Sequence, residues 1–235
     1  NQKAKKPFAR IQRVLKDDPE NQSLRLKYAR VLTAVDIEAA REQFEILSAQ
    51  SPRDGDLLFS LALINREMDD PIAAKAYLRQ VLALQQRVDE ANYYLGRIAE
   101  DRGDTAEAIA FYKEVGDSRE FLPANSRIGQ LLLEQGQTAE VQAFFAEQRQ
   151  RLPELSEQLY GLEAELLVQS GLPETAIQTL NQGLAARPGS TALLYTRAML
   201  YEQVDKLPAM ERDLRAIIAA DPNNTTALNA LGYTL

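Results

Sequence analysis

Small residues return along this chain at a nearly constant interval. Ala29, Ala62, Gly96, Gly129, Ala164, Ala198 and Gly232 stand 33, 34, 33, 35, 34 and 34 residues apart. A period of this length marks a stack of short supersecondary units, because one such unit cannot bury its apolar face alone and must lean on the next. Other columns keep the same register. Twelve residues after each small one, or eleven in the first unit, comes a mostly apolar position: Ala40, Ala74, Ala108, Val141, Ala176 and Met210. Four further on stands a bulky apolar residue: Phe44, Leu78, Tyr112, Phe145, Leu180 and Leu214. That i, i+4 spacing puts both on one face of a helix. Proline closes most units, at Pro19, Pro52, Pro153, Pro188 and Pro222, where its missing N–H ends a helix. Gln86 and Glu120 take that place in two units.

The register predicts two amphipathic helices per unit, the small residue letting them approach closely. Six full units follow, over 22–54, 55–88, 89–121, 122–156, 157–190 and 191–224. Residues 1–21 then hold the second helix of a preceding unit, over Pro7 to Lys16, and 225–235 a first helix without its partner. Leu228, Leu231 and Leu235 are expected to be unshielded there. The opening residues lack an initiator Met and the apolar stretch of a signal peptide. Together these ends lead to the expectation that the chain is a piece of a longer array.

Composition narrows the chemistry. There is no His, Cys or Trp. Imidazole base catalysis, thiolate nucleophiles, Cys or His zinc sites and disulfides are therefore excluded. Any catalysis would rest on carboxylates, Lys, Ser or Tyr. With 27 Lys and Arg against 34 Asp and Glu, the net charge of −7 argues against nucleic acid as a partner. No window approaches 18 consecutive apolar residues, so no transmembrane helix is expected. Asp17-Asp18-Glu20, Asp69-Asp70 and Asp89-Glu90 fall at turns and helix starts, where carboxylates cap free N–H groups. None forms a calcium loop, and no phosphate loop or nucleophile elbow is present. No cofactor, metal or catalytic residue is expected.

The charge is uneven. Lys3, Lys5, Lys6, Arg10, Arg13 and Lys16 make the first sixteen residues +6, which leaves −13 on the remaining 219. With Ala4, Phe8, Ile11 and Leu15 at helical spacing, this segment reads either as the solvated face of an ordinary helix or as a basic amphipathic helix that touches an anionic membrane or partner.

The pattern resembles the tetratricopeptide repeat, with an apolar-Gly/Ala pair in one helix, Ala-x3-aromatic in the next, then Pro. Leu95-Gly96, the turn Arg102-Gly103-Asp104 and Ala108-Ile109-Ala110-Phe111-Tyr112 carry the likeness best, followed by Glu134-Gln135-Gly136-Gln137 and Ala176-Ile177. The family's first aromatic column lacks its Trp: Leu58, Tyr160 and Leu194 fill it in three units, Asn92 and Asn125 in two. The resemblance implies an all-α solenoid of helix-turn-helix repeats forming a right-handed superhelix, with first helices lining a concave groove. It places Leu26, Phe59, Tyr93, Ser126, Gly161 and Tyr195 on that groove, then Arg30, Leu63, Arg97, Gln130, Glu165 and Met199, with Arg66 a turn later. The candidate partner-binding set is Leu26, Arg30, Phe59, Leu63, Arg66, Tyr93, Arg97, Tyr195 and Met199. Aromatics and Arg are the side chains that anchor interfaces. Phe59, Tyr93 and Tyr195 could equally pack against the adjacent first helix. Co-chaperone members grip a carboxylate with Asn and basic residues in this groove. Here Asn is missing from the column, which argues against such a clamp.

The implied function is a non-catalytic scaffold that holds protein partners. The closing segment Ala227-Leu228-Asn229-Ala230-Leu231-Gly232-Tyr233-Thr234-Leu235 is similar to one in long tetratricopeptide lipoproteins of Gram-negative bacteria. Among them is an adaptor of a periplasmic carboxyl-terminal processing protease that degrades cell-wall hydrolases. That resemblance implies a periplasmic location and an outer-membrane lipid anchor outside this segment, with the protease and the hydrolases as partners. The alternatives are a cytoplasmic or inner-membrane scaffold for secretion or polysaccharide export, and self-association through exposed end helices.

Overall fold

A computed structural model describes residues 8–232. Of the sequence expectations, those on Lys3, Ala4, Lys5, Lys6, Pro7, Tyr233, Thr234 and Leu235 lie outside the described residues. The chain forms two compact units, residues 1–116 and 117–235. The first holds α1 (Ala9–Asp17), α2 (Gln22–Leu32), α3 (Ile37–Gln50), α4 (Gly55–Glu67), α5 (Pro71–Ala83), α6 (Val88–Asp101) and α7 (Thr105–Lys113). The second holds α8 (Phe121–Glu134), α9 (Thr138–Arg151), a single 3-10 turn (Pro153–Leu155), α10 (Ser156–Gln169), α11 (Pro173–Ala186), α12 (Thr191–Gln203), α13 (Leu207–Ala220) and α14 (Thr225–Gly232). Every described element is helical.

Within each unit, helices pack against their chain neighbours, as tandem hairpins do. The small column is buried where first meets second helix: Ala29, Ala62, Ala164 and Ala198 are at most 1% exposed. Each shares a core cluster with the bulky residue of its own hairpin, Phe44, Leu78, Leu180 and Leu214 respectively. Where the partner is aromatic the small residue is, in two of three hairpins, glycine. A Cβ on Gly96 would lie 2.5 Å from Cε1 of Tyr112, and one on Gly129 would lie 2.6 Å from Cδ1 of Leu166 on α10 and 3.0 Å from Cε2 of Phe145. Real carbon contacts are about 3.5 Å or more, so neither helix could carry alanine in place.

Turns are set locally. Seven residues past the small column the chain adopts a left-handed conformation, at Asp69, Gly103, Gly136, Gly171 and Asp205. The next residue is the N-cap of the second helix, and Asp70 and Asp104 cap it by accepting from Ala73 and Glu107 N–H. The first hairpin omits the left-handed residue. Asp36 follows Ala29 by seven and caps α3 directly, with φ −158°, which explains the eleven-residue spacing there. Of the other carboxylates expected as caps, Asp89 and Glu90 lie in the first turn of α6, whose N-cap is Arg87 without a side-chain bond.

Loops one repeat apart are stitched together. Gln50 donates to Pro19 O, and Arg187 donates to Pro153 O. Gln86, in the proline column, does both halves of the job: its Oε1 accepts from Gly55 N at 2.8 Å and its Nε2 donates to Arg53 O at 3.2 Å. Helix α7 is short, nine residues against 13 or 14 in α3, α5, α9, α11 and α13. The chain after it is held by Asp89, whose Oδ1 accepts from Gly116 N.

Two charged residues sit in the column that elsewhere holds the apolar half of the apolar-Gly/Ala pair. Glu163 is 2% exposed and pairs with Arg149, whose guanidinium also stacks 4.0 Å from the centre of the Tyr160 ring. Burial pushes the Glu163 carboxyl above its usual range, and the bonds from Arg149 and Thr179 oppose that shift. Arg197 makes a two-armed pair with Asp213 at 2.6 and 2.8 Å. At the end of the described chain Leu228 is exposed, as expected, but Leu231 is not bare: it packs in part on the cluster around Leu214 and Ile217.

Candidate partner-binding surface

The residues singled out on the first helices divide three ways. Leu26 packs in part on the core of the first hairpin, while Arg30 on α2 is exposed. Phe59 is not available to a partner and leaves the candidate set. It is 5% exposed, because Arg87 stacks 4.5 Å from its ring centre and Tyr94 meets it edge-on at 5.6 Å. Tyr93 stands half-buried between Tyr94 at 5.5 Å and Tyr112 at 5.8 Å. A hydrogen bond with the Tyr93 side chain holds Arg97 in its charged form, outweighing the cost of its burial.

Leu63 and Arg66 line a hollow of about 500 Å³ between α4 and α6, completed by Glu67, Tyr94 and Asp101. Arg66 reaches across it to Asp101 at 3.4 Å and lies 5.7 Å from the Tyr94 ring centre. The mouth is thereby strapped by an ion pair. Tyr94 escaped the sequence reading because Tyr93 beside it took the groove column. The usable signal is that a hollow between successive first helices pairs the fourth residue after one small position with the second before the next.

Tyr195 and Met199 meet in the second unit. Both line a hollow of about 730 Å³ between α10 and α12, with Gly161, Leu162 and Val168 on the facing helix, and both line a second of about 390 Å³ between α12 and α14. Counted from the small column, Val168 stands where Arg66 stands in the first unit, Gln203 where Asp101 does, and Thr196 where Tyr94 does. Without the ion pair and the second aromatic ring, the hollow is the larger of the two, about 730 against 500 Å³. A Cβ on Gly161 would meet nothing within 4 Å. The floor is apolar, and among the described residues lining the two hollows the only charges are Glu165 and Glu202. Neither has a cationic partner there, Glu165 accepting only from Gln169 Nε2 at 3.1 Å.

Among the described residues no group of three or more acids could hold a metal ion, and no helix is long and apolar enough to cross a membrane.

The tetratricopeptide repeat family pattern matches residues 66–120 and again 132–200, together a little over half of the chain. A TPR repeat-containing protein of Pseudomonas aeruginosa is 42% identical over 148 residues, which make up 63% of this chain and 25% of that protein. Bacteriophage adsorption protein A of Escherichia coli is 38% identical over 65 residues, 28% of this chain and 6% of that one. The chain thus spans at most about a quarter of the length of these curated relatives. Among solved structures, yeast Tom70 matches with a TM-score of 0.54 at 17% identity, over 97% of this chain and 50% of that one. A tetratricopeptide repeat protein from Parabacteroides merdae matches with a TM-score of 0.52 at 13% identity, over 94% and 88%. These structures share its fold.

Proposed function

Since the chain belongs to the tetratricopeptide repeat family, we propose that it is a non-catalytic adaptor whose first-helix face holds a protein partner, and that in the bacterial envelope this partner is a carboxyl-terminal processing protease or the cell-wall hydrolases it degrades. Tetratricopeptide repeats serve as protein-interaction scaffolds. The observation that carries the binding reading is the open hollow lined by Gly161, Tyr195 and Met199, an apolar concavity with few polar groups. The envelope reading is supported by the resemblance of Ala227–Leu235 to a segment of Gram-negative lipoproteins. A lipid anchor on the full-length protein, outside this segment, would hold it at the outer membrane on the periplasmic side.

The test uses the full-length protein as bait in detergent-solubilised envelope. Recovery of a periplasmic processing protease or a cell-wall hydrolase, lost with Gly161→Met, is the expected result. That variant adds volume where the fold leaves space and raises helix propensity, so loss of partner does not report unfolding. Recovery of cytosolic partners alone overturns the envelope reading, and recovery unaffected by Gly161→Met moves the binding surface elsewhere.

A further inference from the structure

We propose that the hollow between α10 and α12 selects a partner segment whose apolar side chains are flanked by Lys or Arg. This rests on the reading of the first-helix face as a binding surface and adds the chemistry of what it takes.

The hollow offers apolar walls from Leu162, Val168, Tyr195 and Met199, and about 730 Å³ accommodates several side chains. Glu165 stands on the α10 wall, and Glu202 stands beside the adjoining hollow on α12. A segment that runs across both hollows, which share Tyr195 and Met199, removes water from both carboxylates. An apolar or acidic segment leaves them desolvated without compensation, or opposed by like charge, and a cation on either side of the apolar anchor relieves this. Elsewhere in the protein, acids at helix interfaces are matched from within: Glu163 by Arg149, Asp213 by Arg197, Glu107 by Lys75. In the equivalent hollow of the first unit Arg66 pairs with Asp101, so one of its two acids is matched from within. The two second-unit hollows have no cation among their described lining residues, so a partner supplies it.

The probes are three fluorescent nonapeptides with the same apolar centre, flanked by Lys, by Gln or by Glu, titrated by anisotropy in low salt. The Lys peptide is expected to bind about tenfold or more tightly than the Glu peptide, with the gap shrinking as salt screens it. Glu165→Gln with Glu202→Gln should close most of that gap, while Glu38→Gln with Glu42→Gln on α3, an equal change in net charge, should leave it. Val168→Arg with Gln203→Asp, which rebuilds the strap of the first unit, should weaken all three peptides. Equal affinity for the three peptides, no binding by any, or equal loss in the α3 control overturns the proposal. If Gly161→Met abolishes peptide binding while the Glu-to-Gln pair changes nothing, the charge preference fails and the binding face stands. If Gly161→Met also leaves binding intact, the face itself is misassigned.

Discussion

Replacing Gly96 by alanine tests the packing rule on which the hairpins are built. An added Cβ would lie 2.5, 2.6 and 2.9 Å from Cε1, Cδ1 and Cζ of Tyr112, so the ring or the helix must retreat by about 1 Å to reach ordinary contact. The ring cannot slide easily. Tyr112 is 1% exposed, its hydroxyl donates to Glu100 Oε2 at 2.7 Å, and its ring also meets Tyr93, 5.8 Å away between centroids. Overpacking of this kind costs about 1–3 kcal/mol. Gly to Ala in a helix interior recovers about 1 kcal/mol of propensity, and contact with a pinned ring places the clash at the upper end of its range. The expected net loss is therefore about 1–2 kcal/mol. In a Tyr112→Leu background, which copies the Ala62 and Leu78 hairpin, the same change should become neutral or favourable, with a coupling energy of about 1–2 kcal/mol. Urea unfolding measures the four members of the cycle. Amide exchange of α6 and α7 localises the effect, since repeat arrays need not unfold in one step. Stabilisation of the parent by Gly96→Ala, or an effect of equal size in both backgrounds, would refute the claim that the ring dictates the glycine.

Arg149→Met strands the Glu163 carboxylate in the core and should cost about 3–5 kcal/mol in urea unfolding. Because burial raises the Glu163 pKa from 4.5, the folded state favours the protonated acid. Its stabilising contribution is complete below 4.5 and is lost as pH rises through the raised value, so the stability of the parent relative to Glu163→Gln should fall across that window; a difference flat with pH contradicts this. Gln86→Ala removes the acceptor for Gly55 N and the donor to Arg53 O. It should cost about 1 kcal/mol and speed amide exchange in the first turn of α4, and unchanged exchange there would show that the side chain is idle.

The parts of the fold that repeat were legible because a period reports packing that every hairpin must satisfy. Ala62 and Leu78, or Gly129 and Phe145, answer to the same steric demand and so recur in one register. Departures from the register were legible only as departures. Gln86 read as a missing proline, and its two hydrogen bonds depend on a loop 31 to 33 residues away. Glu163 and Arg197 fell in a column read through its small neighbour, and their partners at Arg149 and Asp213 come from different hairpin geometries, one before and one after. The hollows between first helices are legible in part. Tyr195 and Met199 line a hollow, whereas Phe59 in the same column as Tyr195 is covered by Arg87 and Tyr94. No periodic signal carries that difference, because what opens or fills the space between two first helices is the pair of side chains that happens to face it.

The pairing of a small residue with the bulk that faces it also bears on how such a gene can change. Both members of each pair lie within one hairpin, sixteen residues apart in five cases and fifteen in the first. Unequal crossing-over in the loops that join hairpins therefore exchanges matched pairs and leaves the small–bulky contact within each hairpin intact. A crossover in the turn inside a hairpin can join the first helix of one unit to the second of another, setting Ala62 against Tyr112 or Gly96 against Leu78. The former product is overfilled and the latter hollow. Gain and loss of repeats should thus leave their breakpoints between hairpins, and the hairpin, not the helix, is the heritable module.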